Sequence, residues 1–359
     1  MVVLHATDPA SVYLSAAARL AEPSLDAVAD ALYEERSVVR VLAMRRTLFI
    51  VPVLSLAVVE RSSTDAVALK ERRRLEQYLT DGGIENPSAW LEEAAAAIEH
   101  VVPSEGIVAR RITEAVPLLA TRIVVGAGTK NEADVGATSR VLGVLASEGL
   151  LQRGQPTGGW TSRQHRWHLR KEWLGDNQSD DELDEQTASA EILRRWLYVF
   201  GPAPVEDMKW WTGWTMTKTR TTLGRLDTVE VEVDGRTGHV MADDVEADTT
   251  PETWVALLPS LDPTPMGWSN RDWFLGPHRE RLFDRNGNIG PTVWIDGRIV
   301  GGWGQRPDGT VVTSILEDIG SDHAAMIEHR AADLTELLDT TVVKPSFPTP
   351  LQRELAHFD

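Results

Sequence analysis

Residues 138–169 decide the fold, and they read TSRVLGVLASEGLLQRGQPTGGWTSRQHRWHL. Thr138 is the predicted cap of a helix over Ser139–Glu148, because its hydroxyl can accept a hydrogen bond from a first-turn amide. Gly149 is the predicted end of that helix, since glycine accepts the left-handed backbone found beyond many helix C-termini. The stretch therefore opens with a helix.

A two-stranded hairpin is predicted behind that helix. Leu150–Arg153 begins a strand, and the glycine-rich turn at 155–159 returns the chain into a second strand over Trp160–Leu169. Two short helices are predicted ahead, over Trp90–Val101 and Pro103–Val116. Three helices followed by a hairpin is the order of a winged helix, a helix-turn-helix variant whose third helix can enter a DNA groove.

The same order recurs in the second half of the chain. Helices are predicted over Thr187–Phe200, Val205–Trp211 and Thr217–Leu226. Valines then alternate with acidic residues over 229–234, before the Asp234-Gly235 turn, which is typical of a hairpin. Two copies of one architecture make a chance pattern less credible.

The N-terminal segment mixes helix and strand signals. Ser24 is a predicted cap for a helix that reaches Val39, and Arg45–Pro52 is a predicted strand that the proline stops. Arg72–Gln77 lies in a predicted charged helix, for which a solvated face is the simplest interpretation.

The C-terminal part changes to a β pattern after Pro251. The Asp296-Gly297 pair between apolar runs is a strong hairpin signal, so a meander or small barrel is expected there. Ala324–Leu338 is a predicted closing helix. Predicted strands cover Trp254–Leu258, Pro291–Ile295, Arg298–Trp303 and Thr310–Leu316.

Together these elements predict an α+β protein of tandem winged helices followed by a small C-terminal β-barrel. Gly175–Gln186, rich in acidic residues and polar amides, is the predicted linker between modules. The predicted modules are an N-terminally incomplete first winged helix over 1–85, a second over 86–175, a third over 187–248, and the barrel with its closing helix over 251–359.

Charge is distributed unevenly over the 359 residues, whose formal net charge is −18. Residues 1–175 hold 20 Lys and Arg against 21 Asp and Glu, which leaves 16 against 33 for residues 176–359. Duplex affinity comes largely from Lys and Arg that neutralise phosphates. A polyanion is therefore expected to meet the first half.

Composition excludes several kinds of site. With no cysteine in the chain, disulfides, cysteine-ligated zinc, iron–sulfur clusters and thiol catalysis drop out. His165 and His168 are three apart on a predicted strand and should face opposite sides, so no metal site is expected. The longest apolar stretch, Leu48–Val59, is too short for a membrane span, and a cytoplasmic location is expected.

Basic and aromatic residues interleave in the hairpin of residues 160–171, which is typical of a phosphate-contacting surface. A soluble edge hairpin whose charges block aggregation is the alternative. The wing over 229–234 is acidic and should repel phosphate, although the preceding helix is partly basic. The predicted DNA-binding residues are Arg45, Arg46, Arg140, Arg163, Arg166, Trp167, Arg170, Lys218 and Arg220.

Five motifs carry a resemblance to a known family. They read LHATDP at 4–9, RVLAMRRTLF at 40–49, GP at 201–202 with WWTG at 210–213, LLPSLDP at 257–263, and VWIDGRIVGGW at 293–303. Together they resemble the helix-turn-helix 42 superfamily, the bacterial winged-helix DNA glycosylases of the AlkZ and YcaQ type. The resemblance spans nearly the whole chain. It implies three tandem winged helices and a C-terminal barrel around a concave DNA-binding surface, and the excision of alkylated or crosslinked bases.

The resemblance also implies a catalytic position. The family motif is Gln, an apolar residue, then Gln or Asp, on the element that here reads His5-Ala6-Thr7, with Asp8 adjacent. Hydrolysis of an N-glycosidic bond passes through a transition state like an oxocarbenium ion, which a carboxylate suits best. Asp8 is the candidate for that charge. His5 is the candidate that orients or deprotonates water, although a protonated His5 would repel the cation.

A purely structural role is open for the same residues. Thr7 or Asp8 can cap a helix begun by Pro9, because proline suits the first helical position. The family's motif is expected to follow a further helix, whereas here it starts at residue 5. Either translation begins upstream, or this member has lost that helix.

The leading functional interpretation is a monomeric DNA glycosylase that acts on damaged double-stranded DNA without a cofactor, nucleoid-associated when it acts. Three modules and a barrel in one chain favour repair, because simple regulators usually reach two half-sites through dimers. A winged-helix transcriptional regulator is the alternative, followed by a non-catalytic protein that binds a DNA-damaging metabolite.

Overall fold

The computed structural model describes residues 2–129, 132–175, 183–246 and 252–356. The predicted linker at 175–186 lies mostly outside these residues. The chain divides into two compact units, of which one comprises residues 1–30 and 190–359 and the other residues 31–189. Helices and strands are mixed along the chain, so the α+β class is confirmed. No helix in the described ranges is long and apolar enough to span a membrane.

The helices fall within the ranges that follow. They are α1 Pro9–Ala17, α2 Leu25–Ala29, α3 Leu56–Val59, α4 Asp65–Asp81, α5 Pro87–Val101, α6 Ala109–Ala115, α7 Thr138–Ser147, α8 Arg170–Leu174, α9 Glu185–Phe200, α10 Val205–Thr212, α11 Met216–Leu223, α12 Asp272–Leu275, α13 Arg279–Leu282, α14 Gly320–Leu338 and α15 Pro350–Ala356. Turns of 3-10 or π geometry cover Asp30–Glu34, Met44–Arg46, Val53–Ser55, Glu60–Thr64, Pro117–Ala120 and Gly276–His278.

The strands are short and mostly paired in hairpins. They are β1 Leu4–His5, β2 Val38–Ala43, β3 Thr47–Pro52, β4 Ile107–Val108, β5 Arg122–Val125, β6 Ala133–Gly136, β7 Leu151–Pro156, β8 His165–Leu169, β9 Thr228–Val233, β10 Arg236–Met241, β11 Val255–Leu258, β12 Thr292–Ile295, β13 Arg298–Gln305 and β14 Val311–Ile315.

The N-terminal helix predicted to reach Val39 is wrong at its C-terminal end. Ser24 does cap α2, since its hydroxyl accepts a hydrogen bond from the Ala27 amide at 3.1 Å. However, β2 begins at Val38, and its residues pair antiparallel with β3, Val39 opposite Val51. Half-buried β-branched residues pack well in a sheet, so this pairing overrides helical spacing.

The unit of residues 31–189 follows the predicted helix, helix, helix, hairpin order with corrections. Strands β7 and β8 pair as expected, and β4 joins them in the sheet order β4-β8-β7. The second helix, predicted from Pro103, begins only at Ala109. The residues before it form β4, in which Ile107 pairs with Trp167 of β8. The extra hairpin β5–β6 has no counterpart in the predicted elements, and β8 begins at His165 rather than Trp160.

Thr138 is not the cap of α7. It is the first helical residue, Ala137 holds the cap position, and the Thr138 hydroxyl donates to the Leu119 carbonyl at 3.2 Å. Gly149 ends the helix as expected, with φ of +85°. Around α5, α6 and α7 lies a core of fully buried residues, among them Leu91, Ile98, Ile112, Val141 and Leu142.

The other unit contains the second helix, helix, helix, hairpin run as α9, α10, α11 and β9–β10. The apolar face predicted for α9 is buried throughout: Ile192, Leu193, Trp196, Leu197 and Phe200. The β9–β10 hairpin turns at Asp234 and Gly235, whose φ values of 49° and 72° match a tight two-residue hairpin turn.

The C-terminal strands form an open antiparallel meander in the order β11-β12-β13-β14. Within the described residues these strands do not close into a barrel, so the barrel prediction is wrong and the meander alternative holds. Four short strands supply too few hydrogen-bonded neighbours to close a cylinder around their own side chains.

Candidate active site and nucleic-acid interface

The three predicted catalytic residues sit at the entrance to α1. His5 ends β1 and is 8% exposed, Asp8 is 4% exposed, and Thr7 between them is exposed to solvent. Asp8 holds the cap position and Pro9 the first helical position, as the structural alternative expected. The Asp8 carboxylate nevertheless accepts no capping hydrogen bond from the first-turn amides. Asp8 therefore occupies the N-cap position of α1 without the side-chain hydrogen bond that usually defines a cap.

Asp8 borders a small cavity of about 30 Å³ whose polar lining includes Ser11, Ser260, Gln305 and Gln352. Apolar side chains such as Trp303 form much of the remaining wall. A carboxylate in such low-dielectric surroundings acts strongly on a nearby developing cation. Among the described residues, His5 and Thr7 do not line this cavity.

An ion pair with a fully buried carboxylate links Arg19, just beyond the end of α1, to the 257–263 motif. The Arg19 guanidinium donates to both carboxylate oxygens of Asp262, at 2.8 and 2.7 Å, and the Asp262 side chain has no exposed surface. The Ser11 hydroxyl donates to the Ser260 carbonyl at 2.6 Å. The motif that carried the resemblance therefore serves to place the start of α1.

Several predicted DNA-binding residues are presented to solvent in the unit of residues 31–189. Arg46, Arg140, Arg163 and Arg166 are all exposed. Arg46 is ion-paired at 2.5 Å with Glu71, and Arg166 donates to the Gly106 carbonyl at 3.0 Å. Exposed guanidinium groups of this kind can reach phosphate oxygens.

Trp167 and Arg170 require a correction. Trp167 is 5% exposed in β8, and Arg170 is 8% exposed and forms an ion pair with Glu60 at 2.5 Å. A buried tryptophan cannot act as a wedge between bases, and a buried paired arginine has its charge already compensated. We leave both out of the interface.

The remaining predicted DNA-binding residues have mixed settings. Arg45 is half-buried in a left-handed backbone conformation with φ of 54°, and burial lowers the pKa of its guanidinium to about 10. In the other unit, Arg220 is exposed on α11, and the Lys218 ammonium lies 4.5 Å from the Trp214 ring centroid. Arg45 stays protonated at neutral pH.

The sequence interpretation missed a group of cations beside the first hairpin. Arg153 lies opposite Trp167 in the β7–β8 register, with its guanidinium 4.8 Å from the indole ring. Burial, and then the charge of Arg40, lower the pKa of Arg153 to about 10. Strand alternation could have assigned Arg40 and Arg153 to faces of their strands, but it could not place the two strands together.

His165 lies in the same cationic environment. Burial, together with the charges of Arg153 and Arg40, lowers the pKa of His165 to about 4, and the hydrogen bond with the Arg163 carbonyl opposes the shift. Its ring is 4.7 Å from the Trp167 ring. Among the described residues, no group of three or more His, Asp or Glu is placed to hold a metal ion.

We expect stability to fall on acidification because of His165. The native state resists protonation down to about pH 4 while the unfolded state binds a proton near pH 6.5, so unfolding is favoured as the pH drops between these values. For this partly exposed ring we expect a loss of about 2 kcal/mol over that range. His165→Gln should flatten this slope in urea unfolding at pH 4 to 7.

His100→Gln is the matched control for that experiment, because His100 is exposed on α5. It should retain the parent's pH dependence. An unchanged slope in His165→Gln would assign the acid sensitivity to another group.

The fold and the site together define an α+β protein with a buried carboxylate at the start of α1 and a cationic surface beside the β7–β8 hairpin. The sequence model described as DNA glycosylase AlkZ-like matches residues 1–337. The chain therefore belongs to the AlkZ-like DNA glycosylase family.

Two matches from Streptomyces sahachiroi, one in sequence and one in structure, accompany the family match. The interstrand DNA cross-link repair glycosylase is 33% identical over 125 residues, which cover 32% of this chain and 34% of that protein. The aligned segment thus spans about a third of that relative. The structure of the DNA glycosylase AlkZ matches with a TM-score of 0.71 at 21% identity, over 95% of this chain and 90% of that chain. At this identity the structural likeness establishes the fold alone.

Proposed function

We propose that this protein is a DNA glycosylase that hydrolyses the N-glycosidic bond of bulky alkylated or crosslinked bases in double-stranded DNA. The observation that carries the proposal is the family match over residues 1–337. The buried carboxylate of Asp8 beside a cavity supports it, because the reaction develops positive charge on the sugar.

The proposed roles follow from placement. Asp8 stabilises the oxocarbenium-like sugar through its charge, and His5, buried three residues earlier, orients or deprotonates the attacking water. Thr7 is exposed and supplies a hydroxyl at the same entrance. In this mechanism the released base leaves an abasic site.

The modules take the architecture that the family implies. In this proposal helices α5, α6 and α7 with the β7–β8 hairpin are one winged helix, and α9, α10 and α11 with β9–β10 are another. Residues 1–30 and 31–85, predicted as one module, belong to different compact units. The β11–β14 meander with α14 and α15 follows the second winged helix in the chain. Their basic residues would contact phosphate and so hold the duplex at the site.

The test is direct incubation of the purified protein with a duplex alkylated by a nitrogen mustard, which produces both monoadducts and interstrand crosslinks. We expect released base and abasic sites, and none from the untreated duplex. If the parent protein releases no base but protects a defined promoter, the assignment as a transcriptional regulator replaces the assignment as an enzyme. Binding of the free alkylating agent without base release would favour the sequestering protein.

DNA binding should depend on the exposed residues of the first hairpin. Replacing Arg163 and Arg166 by alanine should weaken duplex binding by about 1 kcal/mol in total and reduce its salt dependence, since fewer counterions are released. Fluorescence anisotropy with undamaged duplex at several salt concentrations measures both quantities.

The acidic wing supplies the comparison for this measurement. Glu230→Gln with Glu232→Gln should not weaken binding, because their carboxylates repel phosphate. A salt dependence that stays the same in the arginine variant would remove the hairpin from the interface.

A further inference from the structure

A groove of about 270 Å³ in the unit of residues 31–189 has a strongly cationic lining. It is bordered by α4, the first turn of α7, and β7. The charged residues of its lining are Arg46, Arg74, Arg140, Arg153 and Glu71. Four positive charges therefore face one negative charge.

The one carboxylate of this lining, Glu71, is already paired with two of the four arginines. Glu71 forms ion pairs with Arg46 at 2.5 Å and with Arg74 at 3.5 Å. Arg140 and Arg153 form no ion pair with a carboxylate of the described residues. The excess positive charge is therefore concentrated at the α7 and β7 side.

A further cation, Arg40, lies close to the groove without lining it. The Arg153 guanidinium is half-buried on Trp167, and the charge of Arg40 acts on it. The Nε atom of Arg40 is buried and has no hydrogen-bond partner among the described residues. Neighbouring cations away from bulk water are costly unless an anion compensates them.

Helix α7 adds a fixed dipole to the same place. Ser139 and Arg140 of its first turn line the groove, and Ala137 at the cap position offers no side-chain oxygen to the first amides. The N-terminus of a helix carries partial positive charge and favours anions.

We propose that this groove binds a backbone phosphate of the DNA duplex, with Arg140 at its rim and Arg153 at its floor. The inference rests on the proposed function for the identity of the polyanion. A duplex rather than a free phosphate is favoured because α7 is the third helix of the winged-helix order, the one that meets DNA in such modules. Guanidinium groups also match phosphate oxygens in a two-pronged geometry.

The experiment measures binding of an undamaged duplex to full-length protein at several salt concentrations. R140Q removes an exposed cation and R153Q a half-buried one. At about 0.1 M salt each should weaken binding by roughly five- to ten-fold and lower the slope of log K against log salt by about one. R122Q is the matched control, because Arg122 is exposed but already paired with Asp134 at 3.0 Å, and it should bind like the parent.

R140Q keeps the test decisive even if R153Q unfolds, because circular dichroism should show R140Q folded. An unchanged slope in folded R140Q would overturn the proposal, as would a parent whose duplex binding does not depend on salt. Calorimetry with inorganic phosphate and pyrophosphate distinguishes the sources. Tight binding of either one, lost in R140Q while duplex binding is kept, would assign the groove to a free phosphate compound.

The readout separates this inference from the proposed function. Base release from the mustard-treated duplex tests the glycosylase, whereas the slope with undamaged duplex tests the groove. A parent that binds with the expected slope but releases no base would keep the phosphate groove and overturn the enzyme. Base release by the parent, together with a salt slope that R140Q does not change, would keep the enzyme and overturn the phosphate groove.

Discussion

Asp8→Asn is expected to slow base release from an alkylated duplex by about 100-fold or more. The change keeps the size of the side chain, but it removes the charge that opposes the developing oxocarbenium ion. Asp8 is 4% exposed, so little water screens that charge in the parent. Single-turnover release of base from excess enzyme measures the chemical step.

Duplex affinity and the melting temperature of Asp8→Asn should stay close to those of the parent. Glu22→Gln is the control, since it neutralises an exposed carboxylate just beyond α1 and should leave the rate unaltered. The catalytic assignment fails if Asp8→Asn instead melts at a lower temperature and releases base at the parental rate. That result would give Asp8 a purely structural role at the start of α1.

Arg19→Ala is expected to lower the free energy of unfolding by about 3 kcal/mol, because it leaves the fully buried Asp262 carboxylate without its ion-pair partner, although the Thr264 amide still donates to it. The variant also loses the hydrogen bond from Arg19 to the Thr264 hydroxyl at 2.7 Å. Urea denaturation followed by tryptophan fluorescence measures the loss.

Two further variants separate a buried charge from a general loss of arginine. Adding Asp262→Asn to Arg19→Ala should recover part of the stability, because the uncompensated charge is removed. Arg122→Ala breaks a pair in which both side chains are about 60% exposed, and it should cost about 0.5 kcal/mol or less. Equal losses in Arg19→Ala and Arg122→Ala would contradict a structural role for the buried pair.

Much of the local structure could be predicted because its causes are local. The apolar face of α9 needs only 3.6-residue spacing, and all of its predicted members are buried. The Asp296-Gly297 turn needs only two residues that accept positive φ, and they adopt 45° and 86°. Ser24 caps α2 through a neighbour three residues away.

Where the causes are distant, the same reasoning failed. The helix predicted from Ser24 runs to Val39, but Val38 and Val39 belong to a strand that pairs with β3. The open edge of the C-terminal meander likewise depends on which strands meet. Arg170 looked like a phosphate contact on an exposed hairpin. Its ion pair with Glu60 bridges more than a hundred residues of chain and buries it.

The sequence by itself determined the α+β class, the order of helices and hairpins, and the motifs that identify the family. Only the tertiary structure decided which charges are buried, paired or gathered. It placed Asp8 beside Ser260 and Gln305, and Arg153 within reach of the charge of Arg40. The reason is physical: spacing along a chain sets the face on which a side chain lies, whereas burial and electrostatic partners depend on which faces meet in space.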